Sequence, residues 1–198
     1  RARLEDLAHI LEALHGAGKG LGSDILMNSE YAWVMLLRMY NSVMGDQAFL
    51  DYFWSWRALY GGLYTVLLAD LPEASCYHAF CTGYAGLMLA RAKLETGKPC
   101  FLTEHGIYTN ERRIEIGSAD WLEDTHALNF TLERHAQLER TLRDYWIDSF
   151  TGYSKLCYQA CDTIITLYEG NRQLQIADGA DPAKTRIIRN GINFTRYS

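Results

Sequence analysis

The sequence predicts an α/β fold in which a helical segment precedes a mostly parallel sheet. Three observations carry this reading. Apolar residues recur at helical spacing through the first seventy positions, the period changes after Leu71-Pro72, and four short strand-like runs then alternate with helical ones. That alternation builds parallel sheets.

The elements follow in order. Leu4, Leu7, Ala8, Leu11 and Leu14 mark a first helix that stops at Gly16. The glycine-rich run Gly16 to Ser23 does not qualify as a phosphate loop, because Lys19 is followed by Gly20 rather than Ser or Thr and no strand precedes it. It reads as an interhelical loop. Asn28-Ser29-Glu30 opens a second helix through Trp33, Leu36, Leu37 and Tyr40, and a third runs from Ala48 to Ala69 with Phe49, Phe53, Trp56, Leu59 and Leu63 on one stripe. Such a stripe reads as helix packing before it reads as a ligand box.

Beyond Pro72, Ser75 to Phe80 suits a strand, Thr82 to Lys93 a helix, Gly97 to Pro99 a turn, and Cys100 to Thr103 the next strand. This is a strand–helix–strand unit of parallel type. A long helical stretch is expected from Ala127 to Tyr158, broken near Thr151-Gly152. Asp162 to Leu167 is β-branched and apolar on both faces, the pattern of a fully buried strand. Gly170 to Ala177 reads as a short helix and Thr185 to Ile188 as a last strand, ending at Asn190-Gly191. The division is 1–71 helical, 72–191 α/β, and 192–198 the start of a linker.

Composition excludes several classes. The 198 residues fit one ordinary domain or two small ones, and 48% hydrophobic content with three prolines rules out disorder. Twenty-four acidic against 19 basic residues, with no basic cluster, argue against a nucleic-acid partner. The longest apolar window, Leu59 to Ala69, is well short of the ~20 residues that cross a bilayer. No secretory signal is read at the N-terminus; the chain opens inside a helix without Met and reads as a fragment. Cys76, Cys81, Cys100, Cys157 and Cys161 are odd in number and lack any C-x-x-C, which fits a reduced, cytosolic protein. Cys157 and Cys161, four apart, suit one helix face as small buried hydrophobes. The sequons at Asn129 and Asn193 would matter only in a secreted chain.

Ligands of parallel α/β sheets gather beyond the carboxyl ends of the strands. Three segments leave strands there: Cys81 to Gly86, Glu104 to Arg113, and Tyr168 to Asn171. Gly83 permits close backbone approach at a helix start; Gly106 permits a tight turn in a run dense with titratable groups. Each has a plainer reading. Thr82-Gly83 suits an N-cap and turn, and Glu169 and Asn171 suit helix capping. Arg112 and Arg113 suit a solvated pair, and His105 a surface or core histidine. His78, inside its strand, reads as structural, while His105 follows its strand and opens outward. A zinc site from Cys76, His78, Cys81, Cys100 and His105 lacks a completing pair, and a Cys81/His105 nucleophile–base pair lacks a mark of thiol activation. G-x-S-x-G and G-x-G-x-x-G are absent.

At these same residues a resemblance enters. Tyr77 to Gly86, Leu102 to Arg113 and Ile165 to Arg172 resemble the PelF-like bacterial exopolysaccharide glycosyltransferases, and Ile176 to Pro182 with Ile187 to Ile192 resemble the end of the first domain in family 4 glycosyltransferases. The likeness is dense from Pro72 to Ile192 and looser over Phe49 to Leu71. It implies a GT-B fold of two Rossmann-like domains, of which this would be an incomplete N-terminal, acceptor-side one preceded by a helical insertion. It implies retaining transfer from a nucleotide sugar, with UDP-glucose the expected donor, to a growing polysaccharide in the cytoplasm, peripheral at the inner membrane. It implies His105 near the transferred sugar as the catalytic residue. Thr82, Gly83, Tyr84, Glu104, Tyr108 and Arg112 would line the acceptor side, and Glu169 and Asn171 the cleft wall. No metal or other cofactor is implied, since such enzymes hold the pyrophosphate with helix N-termini and basic side chains. Residues 1–198 hold neither the family's second domain, with its paired glutamates and nucleotide pocket, nor its first strand. A rival reading makes residues 1–70 a helical module docking membrane proteins of the export machinery; a third makes the chain a small hydrolase using Cys81 or a metal.

Overall fold

The structure is a computed structural model describing residues 2–44, 48–119, 122, 141–191 and 196. Four strands, β1 (Tyr77–Ala79), β2 (Cys100–Glu104), β3 (Thr163–Thr166) and β4 (Thr185–Ile187), form one sheet in the order β1-β2-β3-β4. Every neighbouring pair is parallel. The expected α/β architecture, a Rossmann-like partial domain, is thus observed.

Because spatial order follows chain order without reversal, right-handed crossovers place the connecting helices on one side. The register sets Ala79, Leu102, Ile164 and Thr185 in one row, and all four are buried. Covering that row are α5 (Tyr84–Thr96), α7 (Leu142–Ala160) and α8 (Glu169–Ala177), through Leu89, Cys157 and Tyr158 and through Gln175, which bonds Glu104. On the opposite face His78 and Arg186 are exposed, while Phe101, Thr103, Thr163 and Ile165 are half-buried. The double-sided burial expected of the Asp162–Leu167 strand is therefore not observed among the described residues. One face of β3 lacks a helical layer there.

The helical segment comprises α1 (Leu4–Gly16), a 3₁₀ turn (Gly18–Gly20), α2 (Ser23–Asn28), α3 (Glu30–Met39), a π-helical turn (Tyr40–Met44) and α4 (Phe49–Leu68). Ser29 caps α3 by accepting the Ala32 N–H at 3.2 Å. The architecture changes near residue 71, but the packing continues across it. Leu7, Leu11, Tyr64, Val66 and Leu67 share one core with Leu87, Ala90, Leu156 and Ala160. Buried Arg91 on α5 donates to the carbonyls of Val66 at 2.8 Å and Ala69 at 2.5 Å, filling acceptors that the end of α4 leaves open. Among the described residues no helix is long and apolar enough to cross a membrane.

Helix α7 runs unbroken through Thr151 and Gly152, which corrects the expected break. An interior glycine costs about 1 kcal/mol against alanine. The burial of Phe150, Leu156, Cys157 and Tyr158 along the same helix outweighs it. A Thr141–Asp144 capping box starts the helix. Cys157 and Cys161 are buried free thiols, 3.9 Å apart, the small hydrophobes expected. The stretch 127–140, the sequon asparagines Asn129 and Asn193, and Ile192 lie outside the described residues, as does the 192–198 linker start except at residue 196.

Candidate functional site

A pocket of about 340 Å³ opens at the carboxyl ends of β1 and β2, lined by Phe80, Cys81, Thr103, Glu104, His105, Gly106, Tyr108 and Glu111. The strand pleat sorts its central residues. Glu104 ends β2 on the covered side and is 1% exposed; His105 turns the opposite way and is exposed.

Glu104 is a meeting point for four elements. Tyr158 Oη on α7 donates to it at 2.8 Å and Gln175 Nε2 on α8 at 2.9 Å. The Tyr108 N–H, opening α6 (Tyr108–Gly117), lies at 3.4 Å, and Thr82 Oγ1, just before α5, at 3.5 Å. Thr82, fully buried, also accepts a bond from Ser154 Oγ at 2.7 Å. Burial pushes the Glu104 carboxyl up, and the donors from Gln175, Tyr158, Tyr108 and Thr82 only partly offset it. The Tyr158 phenol is also pushed up, by burial and then by Glu104 beside it.

The β2–α6 loop carrying His105 is pinned from behind. Asn171, 4% exposed, donates from Nδ2 to the His105 carbonyl at 3.0 Å. The two glycines meet close neighbours. A Cβ on Gly83 would sit 2.6 Å from the Tyr108 ring, and one on Gly106 would collide with the Glu111 carboxylate. Glycine is what lets α6 start against α5 and lets Glu111 fold back over the loop.

The structure thus brings Glu104, His105 and Tyr108 into one pocket, with Thr82, Gly83 and Asn171 supporting it from behind. Tyr84 points elsewhere: its ring packs 5.6 Å from Phe150 and 5.5 Å from Tyr153, among the helices. Arg112 lies over the Tyr108 ring at 5.2 Å and pairs with Glu115; it does not line the pocket. Glu169 is exposed at the start of α8, where Gln173 and Arg172 donate to its carboxylate. Those bonds, that of Gln173 foremost, hold it below the usual carboxylate range. His78 stands on the open sheet face, level with Phe101 and bonded to Thr103 Oγ1 at 2.8 Å, behind His105 along the sheet.

Phe80, Thr103 and Glu111 complete the lining, and sequence reasoning did not single them out. Their signal was weak: an aromatic ending a strand, and single residues within quoted motifs. Tyr158 and Gln175 gave none, since they reach Glu104 from 54 and 71 positions away. Cys81 and His105 share the pocket, while Cys100 is buried and its thiol pushed up to about 11, chiefly by burial. Among the described residues no group of three or more His, Cys, Asp or Glu is placed to hold a metal ion.

Fold and pocket define an α/β protein with a one-directional parallel sheet and a ligand-sized cavity at its carboxyl edge. The chain belongs to the family described as a domain of unknown function, DUF3492, whose model matches residues 1–183. No curated protein and no solved structure matches it.

Proposed function

We propose that this chain forms the acceptor-side half of a retaining, GT-B glycosyltransferase of the PelF-like class, working in the cytoplasm and peripheral at the inner membrane. Paired with a second, nucleotide-holding domain, it would transfer a sugar from a nucleotide sugar, UDP-glucose the expected donor, to a growing exopolysaccharide. One observation supports this most. His105 stands exposed in the pocket at the carboxyl end of β2, on a loop that Asn171 pins. Ligands of parallel sheets bind at that edge.

Retaining transfer builds positive charge on the sugar ring while the departing phosphate gains negative charge. An imidazole nitrogen beside the ring can accept a hydroxyl hydrogen bond that strengthens as the ring flattens. Such a contact acts more in the transition state than in the ground state and so appears in turnover. In the polypeptide carrying both domains, His105→Ala is expected to lower turnover by about 10²-fold or more, the scale of a lost positioned group. Donor affinity and melting temperature are expected to stay near wild type, because His105 is exposed. Steady-state kinetics with melting curves checks this. Equal turnover would sink the assignment, and lost activity with a collapsed melting temperature would make His105 structural.

A second reading has its own observation. Tyr31, Trp33, Val34, Leu50 and Trp54 on α3 and α4 are exposed. Trp33 packs edge-on against Phe49 and Phe53, and Trp54 against Phe53. A connected apolar surface of this kind suits docking to membrane proteins of an export machinery.

A further inference from the structure

The outer wall of the pocket holds a group that the interior network leaves unexplained. Phe80, one residue beyond β1, is 68% exposed. Its ring is nonetheless held. His78 lies 4.5 Å from it, centroid to centroid, and His78 is itself fixed by Thr103 Oγ1 at 2.8 Å. An aromatic ring braced in place yet open to solvent at a pocket mouth offers a flat apolar face to a ligand.

The remaining lining limits what the occupant can be. Thr103, His105 and Glu111 offer hydrogen-bonding groups beside the ring, and neither Lys nor Arg lines the pocket among the described residues. The start of α6 would favour an anion, but the Glu111 carboxylate already lies over Gly106 there. A phosphate or uronate would meet that charge. A sugar ring meets both demands, setting its apolar C–H face on an aromatic and its hydroxyl edge on carboxylate and imidazole.

We propose that this pocket takes a neutral pyranose ring of an oligosaccharide, stacked on Phe80 with hydroxyls donating to Glu111. Phe80 is then the residue that selects a sugar ring, and Glu111 the one that rejects anionic sugars. The inference rests on the glycosyltransferase reading of the same pocket, and it places the polysaccharide acceptor here while leaving the nucleotide to another surface.

The test is titration of the protein with maltohexaose, cellohexaose and N-acetylchitohexaose, and with a heparin-derived hexasaccharide as the anionic probe, followed by calorimetry and by NMR shifts of the Phe80 ring. At least one neutral hexasaccharide is expected to bind and shift the Phe80 ring. Phe80→Ala should weaken it at least tenfold, Phe80→Trp should stay within threefold, and the anionic probe should bind at least tenfold more weakly. The ring is exposed, so both variants should melt with the wild type; Phe80→Ser replaces Phe80→Ala if that variant does not fold. Equal affinity in wild type and Phe80→Ala, or an anionic probe as tight as the neutral ones, overturns this proposal and leaves the glycosyltransferase reading standing. Failure of all three neutral sugars to bind also overturns it, whereas that reading falls only with unchanged turnover in His105→Ala.

Discussion

Glu104 sits where a carboxyl is costly to charge. It is nearly solvent-free, and its donors do not fully offset the loss of water. Folding therefore favours its protonated form relative to the unfolded chain, where the carboxyl has its ordinary value of 4.5. The sign follows by linkage. With more protons bound folded than unfolded, stability falls as pH rises from about 4.5 through the raised folded value. Asp162, held low by its bond from Lys93, acts oppositely and below that window. Glu104→Gln cannot titrate, so its urea-unfolding free energy should lose this downward slope above about pH 4.5. A variant with the same slope as wild type would mean that Glu104 ionises no harder folded than unfolded. The same burial separates Glu104 from its neighbour: one residue on, His105 faces solvent.

At the scale of elements, the sequence was legible where a local rule decides. Leucine spacing with a glycine stop placed α1, Ser29 placed the start of α3, and the β-branched run placed β3. It was not legible where distant contacts decide. Gly152 lies inside α7 because the helix around it is buried, and Arg91, which reads as an ordinary helix charge, is buried against the end of α4. Tyr84 belonged to a motif that the resemblance assigned to the acceptor side, yet its ring faces Phe150 and Tyr153, because a helix's first turn can present a side chain to either neighbour. The aromatic surface of α3 and α4 is the element-scale counterpart of the docking reading. Trp54, 61% exposed, contributes little to the core. Trp54→Ala is therefore expected to melt within a few degrees of wild type, since exposed substitutions cost about 0.5 kcal/mol or less. If the surface docks, co-purification with the export-machinery membrane proteins should drop at least tenfold while turnover holds. Unchanged recovery of those proteins would remove the docking reading.

For the whole molecule, the distribution of charge over the sheet edge bears on whether a nucleotide could be held within these residues. A nucleoside diphosphate needs cations or unblocked helix N-termini. Here the carboxyl edge of β1 and β2 presents the exposed Glu111 carboxylate without Lys or Arg among the described lining. Arg112, the nearest cation in sequence, is engaged by Glu115 and the Tyr108 ring. The edge strand β4 carries Arg186, whose guanidinium donates to the carbonyls of Ala183 and Thr185. The formal charge of −5 adds a repulsive background. Residues 1–198 alone are therefore expected to bind UDP-glucose no tighter than about 1 mM, an affinity near 4 kcal/mol. Calorimetric titration up to several millimolar checks this, with salt varied to expose any electrostatic component. Micromolar binding would show that a nucleotide site exists within these residues, and the division of labour between an acceptor-side half and a donor-side half would then fail for this chain.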